Sequence, residues 1–229
     1  MHNEASPNEI VPILNSLFAP SSVVDVGCGT GTFLAAFKRS GIQVIKGYDG
    51  SWVNMDLLKD NLDESEFVPC DLEQNITFNQ RYDLALCLEV AEHLSEQSAD
   101  TLVQNLVASS DVVVFSAAIP GQGGQNHINE QWLSYWQGKF ERYGYIVEDV
   151  LKPLLWNNEK IEYWYKQNMV VARTPDYSYN KPIVENTLKN MVHSDLLKER
   201  TAAYNDLKEG RGQPKLYLKL LLKSLFTKK

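Results

Sequence analysis

The sequence predicts an α/β fold: a doubly wound, mostly parallel seven-stranded sheet with an antiparallel edge strand, followed by a helical C-terminal extension. Three observations carry that prediction. Short apolar, β-branched runs alternate with segments of helical spacing through the first half of the chain. One such run, Val23 to Val26, feeds a glycine cluster that opens into a helix-like segment. After the glycines between Gly121 and Gly124 the order changes, and two strand-like segments follow one another, as an antiparallel pair on the sheet edge requires.

Taken in order, the run from Val23 to Val26 is the first strand, and Thr32 to Ser40 the first helix, with Phe33, Leu34 and Phe37 at helical spacing. Gly41 stands where a helix-ending glycine would sit. Gln43 to Tyr48 predicts a second strand, Trp52 to Leu62 a helix, and Phe67 to Cys70 a short third strand. Tyr82 to Leu88 is almost wholly apolar, as a strand buried on both faces must be. A helix through His93, another over Ser98 to Ser109, and a fifth strand from Val112 to Ala117 follow. Then come a helix over Asn129 to Tyr143 and strands over Tyr145 to Val150 and Glu162 to Arg173. The pattern divides the chain into a domain of residues 1–174 and a basic helical extension of residues 175–229.

Composition excludes several classes of function. Hydrophobic residues make up 44% of the 229 and charged residues 22%, ordinary globular usage that argues against wholesale disorder. The net charge is −7, and residues 175–229 hold 11 basic and 6 acidic groups, so residues 1–174 carry −12. Such a body lacks the basic field that supplies most nucleic-acid affinity. Cys28, Cys70 and Cys87 are an odd number with no Cys-x-x-Cys pair, which fits reduced, buried thiols. The N-terminal residues show neither a basic segment nor a long apolar run, and with the thiols this predicts a cytoplasmic protein.

The loop Asp25-Val26-Gly27-Cys28-Gly29-Thr30-Gly31 sits between a strand and a helix, where backbone N–H groups and the positive helix end favour a ligand. A dinucleotide fingerprint would require glycine at position 32, which is Thr32, and this disfavours a nicotinamide oxidoreductase. The spacing present, D-x-G-x-G-x-G, resembles the first motif of class I S-adenosylmethionine-dependent methyltransferases, over roughly Ser21 to Arg173. That resemblance implies that Asp25 holds the methionine end of the cofactor and that Gly27, Cys28, Gly29 and Gly31 wrap its sugar and amino-acid portions. It implies further that Asp49, in Gly47-Tyr48-Asp49-Gly50, accepts both ribose hydroxyls, and that Asp71 and Leu72 lie beside the adenine. Leu88 ends the strand that faces the methyl donor.

An alcohol acceptor must lose a proton during methyl transfer, which calls for a histidine or a tuned carboxylate. Leu88-Glu89-Val90-Ala91-Glu92-His93-Leu94 offers both, and a helix there would put Glu89, Glu92 and His93 on one face. The segment resembles the E-x-x-E-H stretch of O-methyltransferase groups that include quinone-biosynthesis enzymes and small-RNA 2′-O-methyltransferases. In the latter group, two glutamates and two histidines hold a divalent ion. His127 is the candidate second histidine, so Glu89, Glu92, His93 and His127 form a candidate catalytic set and a candidate site for a divalent cation of the manganese or iron kind. Buttressing of the loop by Glu92 and His93 is the competing reading.

The acceptor region is expected over Ile119 to Trp136, with a mobile lid at Gly121, Gly123 and Gly124 and an aromatic wall of Trp132, Tyr135 and Trp136. The stretch from Gln125 to Trp136 resembles bacterial carbohydrate-cluster methyltransferases, which makes a hydroxyl of a sugar or glycan intermediate the expected acceptor. A quinone-like or other small aromatic metabolite is the alternative within the same chemistry. From another class, the chain could be an inactive cofactor-binding scaffold acting through its tail. That tail, Pro214 to Lys229, interleaves Lys215, Lys219, Lys223, Lys228 and Lys229 with leucines and has no acid. As a helix it suits peripheral contact with an anionic membrane, or docking on a protein surface.

Overall fold

The computed structural model describes residues 4–181, 190–211 and 213–226, so Lys228 and Lys229 lie outside the described residues. These residues divide into two compact units, 1–191 and 192–229.

The first unit is built on a seven-stranded sheet: β1 (Ser22–Val26), β2 (Val44–Asp49), β3 (Phe67–Pro69), β4 (Leu84–Leu88), β5 (Val112–Ser116), β6 (Ile146–Glu148) and β7 (Val170–Arg173). Their order across the sheet is β3-β2-β1-β4-β5-β7-β6. The pairings among β3, β2, β1, β4 and β5 are parallel, whereas β7 runs antiparallel to both β5 and β6. This is the predicted sheet, with the antiparallel strand lying one place in from the edge.

Alternate side chains of the central strands enter two separate cores. Val23, Leu84, Leu86, Val112 and Val114 join one, and Val24, Ala85, Cys87, Val113 and Phe115 the other, so the sheet is covered on both faces. Helices α1 (Ala5–Phe18), α2 (Thr32–Arg39) and α6 (Lys152–Leu155) supply side chains to the first core. Helices α4 (Ala99–Ser109) and α5 (Leu133–Glu141) supply the second. The remaining helices of this unit are α3 (Met55–Lys59) and α7 (Tyr163–Asn168). The second unit holds α8 (Ser194–Lys208) and α9 (Pro214–Phe226).

Several expected elements are corrected. The helix expected over Trp52 to Leu62 is only the five-residue α3, started by Asn54, whose side chain accepts the N–H groups of Asp56 and Leu57. The strand expected over Glu162 to Arg173 is α7 followed by β7. The helix expected through His93 is a single 3-10 turn, Ala91–His93. Helix α1 is not among the elements the pattern predicts, because Pro12 stands inside it and costs a helix its i→i−4 bond. Burial of Ile10, Val11, Leu14, Leu17 and Phe18 offsets that cost.

From β1 the chain steps outward to β2 and β3, then returns to place β4 on the other side of β1. Strand order reverses between β1 and β4, and open α/β sheets bind ligands in the crevice beyond the carboxyl ends at such a point.

Candidate functional site

At the carboxyl end of β1 the chain makes the glycine loop. Gly27 has φ +89° and Gly31 φ +80°, a region costly for side-chain-bearing residues. A Cβ on Gly27 would collide with the Val90 methyls, and one on Gly31 would approach Leu62 to 2.7 Å. The loop is therefore glycine-rich because two neighbours lie directly on its backbone. The N–H groups of Gly27 and Cys28 both reach the Tyr48 carbonyl, at 2.7 and 3.2 Å. Gly29 donates to Asp49 Oδ2 at 2.7 Å, while Asp49 Oδ1 accepts the Gly50 N–H at 2.6 Å. Asp49 thus locks the loop to the end of β2.

Asp25 is buried, and its Oδ1 has no hydrogen-bond partner among the described residues. Burial, with the charge of Asp49 adding to it, pushes its carboxyl up to about 7. A buried carboxyl with an unpartnered oxygen is uncommon in a purely structural role. Cys28 is also buried, and burial raises its thiol, so it packs rather than reacts. Cys28, Cys70 and Cys87 are all free thiols. Asp71 stands exposed just past β3, accepting the Glu73 N–H at 2.9 Å, and Leu72 beside it is buried. Leu88, at the end of β4, is buried too. Topology thus brings Asp25, Asp49, Asp71 and Leu88 to the same edge of four adjacent strands.

Glu89, Glu92 and His93 do not share a helix face. Glu89 has φ +54°, since the chain must turn sharply as it leaves β4. Its N–H bonds to the Ser116 carbonyl at 3.0 Å, and its carboxylate accepts Gln122 Nε2 at 3.0 Å and Asn168 Nδ2 at 3.1 Å. Asn168 Nδ2 also reaches Gln122 Oε1 at 2.9 Å, closing a buried carboxamide cluster on Glu89. Gln122 and Asn168 escaped the sequence analysis. The signal was a polar pair, Gln167-Asn168, inside a segment otherwise read as strand.

Glu92 is fully buried, and neither carboxyl oxygen has a hydrogen-bond partner among the described residues. Burial and the neighbouring Glu89 charge push its carboxyl well above the usual carboxylate range, which favours the protonated form. Its backbone carbonyl accepts the N–H groups of Ile128 and Asn129 at 2.8 and 3.1 Å. His93 and His127 meet edge to face with ring centroids 4.9 Å apart. Partial burial and the His127 charge hold His93 below its ordinary value, leaving it neutral at pH 7. His127 Nδ1 lies 3.0 Å from Glu130 Oε1, and Glu130 also accepts the Gly121 and Gly123 N–H groups at 2.8 and 2.6 Å. A Cβ at Gly124 would strike the His127 ring. Ligand atoms of Glu92, His93 and His127 all lie within 4.8 Å of one another, and Glu89 is not in that group.

The expected aromatic wall is reduced. Trp136 is a core residue packed on Phe115, whereas Trp132 is partly exposed. In the expected lid, the Gly121 and Gly123 N–H groups gather on the Glu130 carboxylate. No helix among the described residues is long and apolar enough to cross a membrane.

Residues 3–158 match the family described as Methyltransferase domain. A ubiquinone biosynthesis O-methyltransferase of Rhodopseudomonas palustris (strain HaA2) is 35% identical over 80 residues, 34% of this chain and 31% of the relative. One of the same name from Bradyrhizobium diazoefficiens is 36% identical over 75 residues, 31% of this chain and 29% of the relative. The chain thus spans about a third of the length of these curated relatives. Among solved structures, the methyltransferase domain of bacterial CtHen1-C superposes with a TM-score of 0.55 at 22% identity, covering 75% of this chain and 98% of that one. Streptomyces venezuelae DesVI gives 0.57 at 13% identity, covering 75% and 91%. At such identities the likeness is one of fold.

Proposed function

The chain belongs to the methyltransferase domain family, and from that premise we propose that it is an S-adenosylmethionine-dependent O-methyltransferase acting on a hydroxyl of a small-molecule acceptor. The observation that carries the reading is the pair of half-built sites at one sheet edge: the unpartnered Asp25 carboxyl in the glycine loop, and the His93–His127 pair beside buried Glu92.

The residues present fit the cofactor. Asp25 Oδ1 is available to the amino-acid end, and the cradle at Gly27 and Gly31 has no room for side chains. Gly29 and Cys28 line the same turn; Asp49 would hold the ribose hydroxyls, Asp71 and Leu72 the base, and Leu88 would lie near the reacting end. Bound there, S-adenosylmethionine supplies an electrophilic methyl group on sulfur. The protein's own work is to orient the acceptor oxygen in line, exclude water, and take the proton. His93, neutral at pH 7, accepts that proton; His127, held by Glu130, orients the acceptor hydroxyl. Glu92 keeps its own proton and is not the base. Calorimetric titration with S-adenosylhomocysteine tests the donor half: binding that weakens at least tenfold in Asp49→Ala is expected, and no binding by the unaltered chain sinks the reading.

Two acceptor classes remain in the proposal. The names of the curated relatives support a quinone-like or other aromatic hydroxyl. A sugar or glycan hydroxyl draws only on Trp132 as a packing surface. Methyl transfer assayed against both compound classes separates them.

A divalent cation is a second reading, favoured by the 4.8 Å cluster of Glu92, His93 and His127. His127 bonded through Nδ1 to a carboxylate is the outer support that metal-binding imidazoles ordinarily have. Such an ion would supply charge to bind the acceptor oxygen. Elemental analysis of the purified chain, before and after chelator, decides it.

A further inference from the structure

None of the site residues named above belongs to the second unit. Helix α9 carries Lys215, Lys219 and Lys223 at i, i+4 and i+8, which places them in one stripe, and it holds no acid. Leu218, Leu221, Leu222 and Leu225 follow the i, i+3, i+4, i+7 spacing of an apolar face that adjoins the stripe. That face is open: Leu218 and Leu221 are each 58% exposed, Leu222 48% and Leu225 70%. Leu216 and Leu220 lie on the other side of the lysine stripe, exposed at 39% and 45%. A contiguous leucine face left in water marks an interaction surface. Tyr217 anchors the helix on its neighbour, its hydroxyl donating to the Leu207 carbonyl at 2.7 Å.

We propose that α9 is a membrane-surface helix, laying its leucine face into the boundary of an anionic lipid leaflet with the lysine stripe at headgroup level. Length sets the mode. Thirteen residues rise about 20 Å at 1.5 Å each, short of the roughly 30 Å hydrocarbon layer, so the helix lies in the surface and does not span it. Charge sets the partner. Lysines without acids attract phosphate headgroups, whereas a second copy would bring the same stripe of like charge. Residues 1–174 carry −12 and oppose approach, but screening confines that repulsion to about 8 Å at physiological salt.

The test is co-sedimentation of the full chain with vesicles of phosphatidylglycerol and phosphatidylcholine, or of phosphatidylcholine alone. Binding to the anionic vesicles, weakened by high salt, is expected. The Lys215→Ser/Lys219→Ser/Lys223→Ser variant loses about a hundredfold in partitioning, at about fivefold per lysine. Leu221→Ser/Leu225→Ser loses binding with its lysines intact, and circular dichroism melting checks that both variants keep their fold. Equal pelleting with neutral vesicles, or unchanged partitioning in the lysine variant, overturns the proposal. So does a dimer in sedimentation velocity that Leu221→Ser/Leu225→Ser dissociates, which assigns the face to a second copy.

Discussion

Burial and the charge of Asp49 push the Asp25 carboxyl up to about 7 from an ordinary 3.8. The folded chain therefore holds a proton where the unfolded chain has lost it, and stability falls as pH rises from about 4 through 7. Asp25→Asn removes this dependence. Its melting temperature at pH 8 should exceed that of the parent by about 2–4 °C per kcal/mol of strain relieved, with a flatter profile between pH 5 and 8 in scanning calorimetry. The same variant should bind S-adenosylhomocysteine more weakly, since the proposed function assigns the unpartnered Asp25 oxygen to the amino-acid end of the cofactor. For His93, loss of the base predicts that His93→Ala lowers kcat by 10²- to 10⁴-fold while cofactor affinity stays within twofold. An equal loss in both assigns His93 to buttressing. The residue types at these positions were legible in the sequence because motif spacing names them. The left-handed turn at Glu89 was not, since no glycine or asparagine marks it, and its Asn168 partner lies 79 positions along the chain.

Among elements, the parallel strands were readable because both faces are buried and their sequences are nearly continuous apolar runs. The boundary between α7 and β7 was not. Tyr163, Trp164 and Tyr165 have strand-like propensity, yet tertiary packing makes them helical, with Tyr165 set edge-on to Phe33. The turn from β1 into α2 allows a paired test with a built-in control. Gly27→Ala meets both a positive φ and the Val90 methyls, and should cost about 2–4 kcal/mol in urea unfolding. Gly41→Ala, at φ +105° with nothing within 4 Å, bears the backbone cost alone, about 1–2 kcal/mol. Equal losses would show that Val90 yields and that the loop is not held by that contact.

For the molecule as a whole, ligand-linked stabilisation discriminates the cofactor classes. S-adenosylhomocysteine at one hundred times its Kd should add about 2.7 kcal/mol, or about 5–11 °C in melting temperature, and NAD should add nothing. The reversal of strand order that frames this crevice was inferable from the alternation of elements, whereas the cross-links between its two sides were not. Those cross-links have a consequence. Val90 rests on Gly27, and two positions later the Glu92 carbonyl holds the amides of Ile128 and Asn129. The glycine loop and the loop at Ile128, the proposed donor and acceptor sides, are consequently sewn to the two ends of one short turn, and neither can shift without pulling on the other. Occupancy on one side should then be felt on the other as a heterotropic effect, and thermodynamic reciprocity fixes its form. Whatever factor S-adenosylhomocysteine applies to acceptor affinity, the acceptor must return to S-adenosylhomocysteine.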